Sequence, residues 1–503
     1  MSLEVERSEI VVAIRINWNI VRDGNMHRLD GLDAGFLYME SESQHMHTLK
    51  VIFFDPPADG QECSFAGLLA ELKTIVDRYP PLRWRLAEVP LGLYHPVCYV
   101  DPDFDIRKHV SSISLPPDSE ESAVYSFIEE IASVRLERDK PLWHLWILDG
   151  LRNRQTAVIF KTHHALMDGV ANAAMLAEVL GGEGVQKRAP ANIVPERVPG
   201  RAGLFAAGAG ELLRDLRQYP KRISAIRAAR KWAKAQPVAS AMAPPRFFSA
   251  PPTLFNKCLT PRRKFAFATL SCAAIKEVGR QHGATVNDVL LTMLAQTIRD
   301  YLGKRNALPE DALTAAMAFS VRDPVAENSF GNKVRIILVS LCTTIENPIE
   351  RLKNIHQRSV VAKEIMKGTK HGRAATLLAY LPPLVRRPLV RSMMADRVRS
   401  GKPPMYTVGL SNIPGPRIDS LGFQGRRVDR IFTAGPLGHG ACVTFTAWSH
   451  GDKLNLTVQS CSDVVPEPGE MRDSMLMALE MLKERSGAAE SIATECVEDA
   501  VTS

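Results

Sequence analysis

Two adjacent histidines followed closely by an aspartate and a glycine carry the clearest chemical signal in this chain. The segment is His163-His164-Ala165-Leu166-Met167-Asp168-Gly169. A neutral imidazole can take a proton from a hydroxyl, amine or thiol as that group attacks an acyl carbon. One of the two histidines is therefore a candidate general base. Asp168 is a candidate for holding the local geometry, and Gly169 permits a tight turn or a close backbone contact.

The flanking residues predict that this segment joins a strand to a helix. Residues 156–160 are β-branched and aromatic, which favours a buried strand. Residues 170–180 are rich in Ala, Leu and Met and are followed by Gly181-Gly182, which favours a helix that ends there. Neighbouring residues of an extended segment point in opposite directions, so only one of the two histidines is expected to face a given cavity.

Simpler interpretations of the same residues stay open at this level. Adjacent histidines can be two polar residues at a strand end, and an Asp-Gly pair alone indicates a turn. A zinc site needs a third and a fourth ligand, and the side chains of His163 and His164 are expected to diverge. We therefore predict no metal site.

The histidine segment resembles the active-site motif of the CoA-dependent acyltransferase superfamily, which includes the condensation domains of peptide synthetases. Further segments are similar to signatures of the bacterial wax ester synthase/diacylglycerol acyltransferase family, in the family's order and over about residues 27–470. They are residues 29–37 (LDGLDAGFL), 141–143 (PLW), 148–151 (LDGL), 285–289 (TVNDV), 320–322 (SVR), 331–332 (GN) and 411–416 (SNIPGP). The family has Glu directly after Pro-Leu-Trp, whereas this chain has His144.

The resemblance implies an α/β fold of two similar chloramphenicol-acetyltransferase-like halves with a tunnel between them. Donor and acceptor would enter from opposite sides and meet at the histidine motif, which includes Gly169. His164 is implied to be the general base, and His163 to support it. Asp168 is implied to be structural, and an ion pair with an arginine such as Arg322 is one hypothesis for it.

Residues of the second half are implied to complete the site. Asn287 and Asp288 match the family's second motif. The amide of Asn287 either donates a hydrogen bond near the reaction centre or caps a helix, a role that Asn and Asp favour. Ser411 and Asn412 precede a Pro-Gly-Pro turn, and with Arg322 they are the predicted substrate-binding residues.

Length and composition are those of a large globular protein. The 503 residues exceed the roughly 250–300 at which single cores stop growing, so more than one domain is expected. No apolar run approaches the ~20 residues that cross a bilayer. Three early acidic residues, Glu4, Glu6 and Glu9, are unlike the basic start of a signal peptide. The eight cysteines are scattered without a C-x-x-C pair, as expected of reduced thiols in a cytoplasmic protein.

The chain is expected to divide into five segments. They are an N-terminal extension (1–25), an N-terminal acyltransferase half with the HHxxxDG motif (26–185), a basic crossover linker (186–256), a C-terminal acyltransferase half (257–484) and a disordered tail (485–503). The family signature begins just after Met26. We therefore expect residues 1–25 to be dispensable, and Met26 is a candidate initiator.

The net charge of +8 is concentrated in two segments. Residues 187–236 hold 12 Lys and Arg against 3 Asp and Glu, and residues 386–402 hold six against Asp396 alone. Within the first segment, residues 203–234 place apolar side chains at near-helical spacing between basic ones, which predicts an amphipathic basic helix. No zinc-finger spacing or RNA-binding aromatic motif accompanies these charges. We therefore expect CoA phosphates or an anionic membrane surface as partners, rather than nucleic acid.

The resemblance implies transfer of a long-chain acyl group from acyl-CoA to diacylglycerol, with wax ester synthesis on fatty alcohols as a related activity. Acyl-CoA is then a co-substrate, and no cofactor is expected. The enzyme would be cytoplasmic and peripherally associated with the inner face of the membrane or with lipid droplets. Two alternatives stay open: an acyltransferase for another lipid alcohol or a carrier-bound donor, and a non-catalytic paralogue that binds lipid or CoA.

Overall fold

The structure is a computed structural model that describes residues 27–57, 65–181, 188–189, 191, 200–235, 242–320, 331–368, 378–415 and 421–501. The predictions made for residues 1–25, for Met26 and for Arg322 lie outside these residues.

The N-terminal half is built on strands that alternate with helices. Its strands are β1 (His27–Arg28), β2 (His47–Phe54), β3 (Trp84–Ala87), β4 (Val97–Val100), β5 (Val110–Ser119), β6 (Trp143–Leu151) and β7 (Thr156–His163). Its helices are α1 (Gly31–Met39), α2 (Phe65–Val76), α3 (Glu121–Ala132) and α4 (Gly169–Leu180). β7 lies between β2 and β6 and pairs antiparallel with both, which places the histidine segment at the end of a central strand.

One long helix connects the two halves. The predicted amphipathic basic stretch forms α5 (Arg201–Ala235), which continues through Pro220. Its inner face packs through Leu204, Gly208 and Ile226, which are buried. The basic side chains Arg214, Arg217, Lys221, Arg227 and Arg230 are exposed, but so are Leu213 and Leu216 between them, so the separation of apolar and basic faces predicted for this stretch is only partial.

The C-terminal half contains its own six-stranded sheet, ordered β10-β9-β11-β14-β15-β8. The strands of this half are β8 (Arg263–Ser271), β9 (Thr314–Ser320), β10 (Val334–Ser340), β11 (Val408–Ile413), β12 (Gly422–Phe423), β13 (Arg426–Ala434), β14 (Val443–His450) and β15 (Lys453–Cys461). Its helices are α6 (Cys272–Gln281), α7 (Val286–Gly303), α8 (Pro348–Gly368), α9 (Pro383–Arg391) and α10 (Pro468–Val501). α7 supplies much of the core, since most of its residues are buried.

The last helix extends into a region for which the sequence predicts a disordered tail. The backbone of residues 485–501 is helical and continues α10. Ser486 is buried there, donates to the Leu482 carbonyl, and its Oγ lies 2.8 Å from Nε2 of His282. These contacts tie the start of the predicted tail to α6, so it is a continuation of the packed helix.

Two strands of the C-terminal half belong to the sheet of the N-terminal half. That sheet has the order β12-β13-β2-β7-β6-β5, and β13 pairs antiparallel with β2 so that Ile431 lies opposite Ile52. The predicted α/β organisation is therefore present, but one sheet is completed by the other half. The tunnel between the halves stays a prediction. Among the described residues, no helix combines the length and the apolar composition that crossing a membrane requires.

Candidate active site

The two histidines of the motif leave β7 on opposite sides, as their extended backbone predicts. His163 is buried and lies opposite His47 in the β2–β7 pairing. His164 donates its backbone N–H to the Met46 carbonyl at 2.8 Å. Its imidazole stacks on the ring of Phe36 in α1, with ring centres 4.1 Å apart and planes 17° apart. Phe36 thus holds the orientation of the His164 ring.

The surroundings of His164 keep its imidazole neutral. Burial lowers its pKa from 6.5 to about 4; the Asp168 carboxylate opposes this shift, and the Lys50 ammonium adds to it. Lys50 is itself buried, donates to Oγ1 of Thr48 at 2.5 Å, and has its pKa lowered by burial to about 7. A neutral imidazole has a free lone pair, so His164 can accept a proton at physiological pH.

Asp168 is the N-cap of α4 and also contacts the other half. Its Oδ1 accepts a hydrogen bond from the backbone N–H of Ala171 at 2.8 Å, which is the usual N-cap interaction. Its Oδ2 accepts one from the backbone N–H of Lys333, also at 2.8 Å. The neighbouring residues Met167 and Gly331 form a parallel β-bridge at the same junction. This geometry supports a structural role for the carboxylate, while its predicted pairing with Arg322 lies outside the described residues.

Asn332 connects three segments at this junction. Its side-chain amide donates to Oδ1 of Asp33 at 2.6 Å and to the carbonyl of His164 at 2.8 Å. Its backbone N–H donates to the same Asp33 oxygen at 2.8 Å. Burial raises the pKa of the Asp33 carboxyl well above its usual range, although the hydrogen bonds from Asn332 act in the opposite direction. Sequence analysis placed Asn332 in a family motif but missed that it holds the backbone of the candidate base.

A buried carboxylate lies on the His163 side of the strand. The Ala165 N–H donates to Nδ1 of His163 at 3.1 Å, which assigns the ring proton to Nε2. That Nε2 lies 3.5 Å from Oε1 of Glu40, and Nε2 of His47 lies 3.3 Å from the same oxygen. Arg138 binds the other oxygen at 2.6 Å. Burial raises the pKa of Glu40, but His163, His47 and Arg138 outweigh burial and hold that pKa well below its usual range.

Glu40, His47 and His163 are also the candidate metal ligands among the described residues. One donor atom from each of Glu40, His47 and His163 lies within 4.8 Å of the others, and zinc accepts such nitrogen and oxygen ligands. Arg138 already neutralises the carboxylate, so the arrangement fits a buried charge network better than a metal centre. The absence of a metal site stays a prediction. Sequence analysis missed Glu40 because nothing in its local pattern marks it as a partner of His163.

Two asparagines from different elements of the second half bind each other. The amide of Asn412 in β11 donates to Oδ1 of Asn287 in α7 at 2.8 Å. The next residue, Ile413, abuts the start of α4, since a methyl group placed at Gly169 would lie 2.7 Å from its Cδ1. Gly169 therefore allows β11 to approach the histidine segment. Ser411 precedes Asn412 in the strand, so its side chain points to the opposite face and away from this pair.

Asp288 stabilises the start of α7. Thr285 is the N-cap of that helix, and its backbone N–H donates to Oδ2 of Asp288 at 2.9 Å in a capping box. Nδ1 of His356 lies 2.8 Å from the same oxygen, and Ser359 donates to Oδ1 at 2.5 Å. The capping alternative weighed for Asn287 is wrong for that residue, because Thr285 and Asp288 provide the cap.

His144, which stands where the family has glutamate, lies on the face of the N-terminal sheet opposite to His164. In the β6–β7 pairing, His144 lies opposite Lys161 and its Nε2 is 2.9 Å from Oγ of Ser111. The preceding Trp143 is buried and donates its ring N–H to the Leu82 carbonyl at 2.7 Å. The Pro-Leu-Trp segment therefore contributes to the core. The replacement of the family's glutamate by His144 does not change the immediate surroundings of His164.

Comparisons with known proteins agree with this geometry. The profile of the wax ester synthase/diacylglycerol acyltransferase catalytic domain matches residues 29–290, and the profile of the family's C-terminal domain matches residues 330–483. A Mycobacterium tuberculosis protein named among the diacylglycerol O-acyltransferases is 32% identical over 482 residues, which cover 95% of this chain and 99% of that protein. A Mycobacterium bovis protein that is also named as a diacylglycerol O-acyltransferase is 29% identical over 89% of this chain and 93% of its own length.

Solved structures show the same fold. The wax ester synthase/diacylglycerol acyltransferase from Marinobacter aquaeolei matches with a TM-score of 0.63 and 25% identity, over 92% of this chain and 100% of its own. The condensation domain of the Monacolin K polyketide synthase MokA matches with a TM-score of 0.57 and 13% identity, over 91% of this chain and 97% of its own. The second likeness concerns the fold alone. With its family profiles, its motifs and its two-half architecture, this acyltransferase belongs to the wax ester synthase/diacylglycerol acyltransferase family.

Proposed function

We propose that this enzyme transfers a long-chain acyl group from acyl-CoA to diacylglycerol, which yields triacylglycerol and CoA, and that it also esterifies fatty alcohols to wax esters. The observation that carries the proposal is the neutral, ring-stacked imidazole of His164 at the junction of the two halves. The names of its relatives support diacylglycerol as the acceptor. Acyl-CoA serves as a co-substrate, and no resident cofactor takes part.

In the proposed mechanism, His164 removes the proton of the acceptor hydroxyl. The alcohol oxygen attacks the thioester carbonyl carbon and forms the new C–O bond, and the C–S bond then breaks. The CoA thiolate leaves and takes the proton from the imidazolium of His164, which restores the neutral base. Holding donor and acceptor in line supplies much of the rate, so no acyl-enzyme is needed.

The neighbours of His164 have positioning roles in this mechanism. Phe36 fixes the plane of the imidazole, and Asn332 fixes the backbone carbonyl of His164. Asp168 holds the start of α4 against the second half through Lys333. The amides of Asn287 and Asn412 are bonded to each other and are proposed to bind substrate oxygens.

We also propose that the enzyme works at an anionic membrane or lipid-droplet surface on the cytoplasmic side. Diacylglycerol is almost insoluble in water, so it has to be collected from a lipid surface. The outer face of α5 carries exposed Arg214, Arg217, Lys221, Arg227 and Arg230. Each Lys or Arg near an anionic lipid surface contributes about 1 kcal/mol, which salt screens. Arg222 is not available for this role, because its guanidinium binds Asp215 at 3.0 Å and lies over the ring of Tyr380.

The pH dependence of the reaction tests the protonation state of the base. Because the pKa of His164 is about 4 rather than 6.5, the base is neutral above pH 5 and loses its lone pair only as the pH falls through 4. We expect kcat/KM to stay level from neutral pH down to about pH 5 and to fall below it. Initial rates with a soluble alcohol measure this profile, with recovery of activity on return to neutral pH as the control for unfolding. An acid limb centred near the usual histidine pKa would contradict a buried neutral base.

The charges of α5 are tested by replacing Arg214, Arg217, Lys221, Arg227 and Arg230 with Gln. We expect weaker binding to anionic vesicles and a loss of the salt sensitivity that the wild-type binding shows. Esterification of a short, soluble alcohol should persist, since His164 is untouched. Vesicle sedimentation at low and high salt makes the measurement. Binding that responds neither to salt nor to these substitutions would identify α5 as an ordinary solvated helix.

The acceptor itself is identified by an assay with radiolabelled acyl-CoA and a panel of alcohols, read by thin-layer chromatography. We expect labelled triacylglycerol from diacylglycerol and labelled wax ester from a fatty alcohol. Products only from another lipid alcohol would favour the first alternative. Binding of acyl-CoA without any labelled ester would favour the non-catalytic paralogue.

A further inference from the structure

Three large aliphatic side chains, from a turn and a helix that are far apart in the sequence, are exposed to solvent. Leu91 is 78% exposed, Leu384 is 69% exposed and Val385 is 50% exposed. Single exposed apolar residues are normal on protein surfaces, but adjoining ones mark sites of interaction with other molecules or with lipid. The question is therefore whether these three side chains adjoin one another.

The backbone brings the three residues together. Leu91 lies at the tip of the 3₁₀ turn Pro90–Gly92, and Leu384 and Val385 begin the exposed side of α9. A methyl group placed at Gly92 would lie 3.3 Å from the backbone nitrogen of Leu384 and 3.6 Å from Cβ of Pro383. The turn and the start of α9 therefore touch, which places the three exposed residues close together on the surface, and we call them the apolar tip.

The backbone at Leu91 adopts a conformation that leucine rarely takes. Its φ angle is +61°, in the left-handed region, which is unfavourable for a residue with a Cβ atom. Helix α5 supports the turn, because Val89 packs against Gly208. A methyl group placed at Gly208 would lie 2.7 Å from Cγ1 of Val89. This conformation projects an aliphatic side chain outward, where the protein itself does not bury it.

Positive charge accompanies the apolar tip. Arg387 and Arg391 are exposed on α9, and the basic outer face of α5 lies on the helix that supports the turn. Glu88 is the acidic neighbour, and Arg387 binds it at 3.1 Å. Arg386 is turned inward instead, is buried, and donates to the Gly31 carbonyl. An apolar patch with basic residues beside it complements an anionic lipid surface, which combines negative headgroups with an apolar interior.

Helix α1 lies between the apolar tip and the candidate base. α9 packs against α1, where the guanidinium of Arg386 lies 5.4 Å from the ring centre of Tyr38. The same helix α1 carries Phe36, whose ring stacks on His164. A lipid surface that covers the apolar tip would therefore lie next to α9, and α1 would connect that side of the protein to His164.

We propose that Leu91, Leu384 and Val385 insert into an anionic lipid surface and place the acceptor entrance next to that surface, beside α1. This inference rests on the proposed function, because it names where the water-insoluble acceptor is collected. It differs from the electrostatic attraction of α5 in one measurable respect. Insertion of apolar side chains contributes binding that salt does not screen.

The test compares three proteins on vesicles of phosphatidylcholine mixed with phosphatidylglycerol. The tip variant carries Leu91→Asn, Leu384→Gln and Val385→Gln, with Asn chosen at the first position because it tolerates the left-handed conformation. A control variant removes three exposed apolar side chains from other elements, through Val134→Gln, Val360→Gln and Met477→Gln. Each protein is sedimented with vesicles at low and high salt, and each is assayed with diacylglycerol in vesicles and with a short, soluble alcohol.

We expect the tip variant to partition onto vesicles about tenfold or more weakly than wild type, with the deficit persisting at high salt. Its acylation of vesicle-bound diacylglycerol should fall in parallel, while esterification of the soluble alcohol is unchanged. The control variant should behave like wild type in every measurement. Equal vesicle binding by the tip variant and wild type would overturn the proposal. So would a wild-type dimer that the tip substitutions dissociate without affecting vesicle binding, since the patch would then be an interface between copies of the chain.

Failure of the proposed function gives a different pattern. A wild-type protein that acylates neither diacylglycerol nor any alcohol contradicts the proposed reaction, yet its vesicle binding still reports on the tip. If the wild-type protein is fully active on vesicles and the tip variant binds them equally well, only the proposed insertion is contradicted.

Discussion

His164→Ala is expected to lower turnover by about two to four orders of magnitude, the range typical of a lost general base. The substitution removes the lone pair that takes the proton from the acceptor hydroxyl in the proposed mechanism. The folded state should survive, because the backbone hydrogen bonds of this residue to Met46 and Asn332 remain and only the ring that stacks on Phe36 is lost. The measurement is kcat with acyl-CoA and a soluble alcohol, alongside the thermal unfolding midpoint. Wild-type turnover in this variant would rule out the mechanism.

His163→Ala is the matched control, because the adjacent imidazole lies on the other face of the strand. Its loss removes one of the partners of the buried Glu40 carboxylate. We therefore expect a marked decrease in the free energy of unfolding and a milder loss of turnover in the protein that remains folded. Equal and severe loss of turnover in both variants, without loss of stability in either, would contradict the division of roles between them.

Asp168→Ala is expected to have the second large effect, on stability before chemistry. The carboxylate accepts from the backbone N–H groups of Ala171 and Lys333, so its removal leaves two donors at the junction without their partner. An unsatisfied buried donor costs roughly 1–3 kcal/mol, so for two donors we expect the free energy of unfolding to fall by about 2–6 kcal/mol. Denaturant unfolding followed by circular dichroism measures this change.

Asp168→Asn separates the structural role from a direct chemical one. Asparagine keeps the shape and one acceptor oxygen, so it can still cap α4, but its NH₂ group faces the Lys333 N–H when the oxygen faces Ala171. We expect stability and turnover between those of wild type and the alanine variant. An asparagine variant that unfolds like wild type and yet has no turnover would show that the carboxylate acts on the reacting groups.

The local structure around the motif could be predicted from the sequence because its causes are local. The β-branched and aromatic run at residues 156–160 predicted a strand, and β7 spans Thr156–His163. The Ala- and Leu-rich run at residues 170–180 predicted a helix, and α4 spans Gly169–Leu180. The alternation of side chains in an extended backbone predicted that the two histidines diverge, and they contact different side chains, His163 those of Glu40 and His47 and His164 that of Phe36.

The contacts that hold the base in place could not be predicted in this way. Asn332 and Asp33 bind each other across 299 positions of the chain, and β13 joins β2 in the sheet of the other half. A pattern of neighbouring residues reports on burial and backbone preference, and it contains no information on which distant segment a side chain will meet. The same reason explains why Glu40 was missed as a partner of His163.

The sequence by itself determined the chemistry available to this protein: a histidine pair at the end of a buried strand, an aspartate that could hold the local geometry, and the ordered motifs of an acyltransferase family. These depend on residue type and short-range spacing. The tertiary structure decided that the ring of His164 stacks on Phe36 and has a lowered pKa, that Asp168 bridges the two halves, and that α1 lies between the apolar tip and the base. These depend on packing between segments far apart in the chain, where burial and the geometry of donors and acceptors determine the protonation state and position of each group.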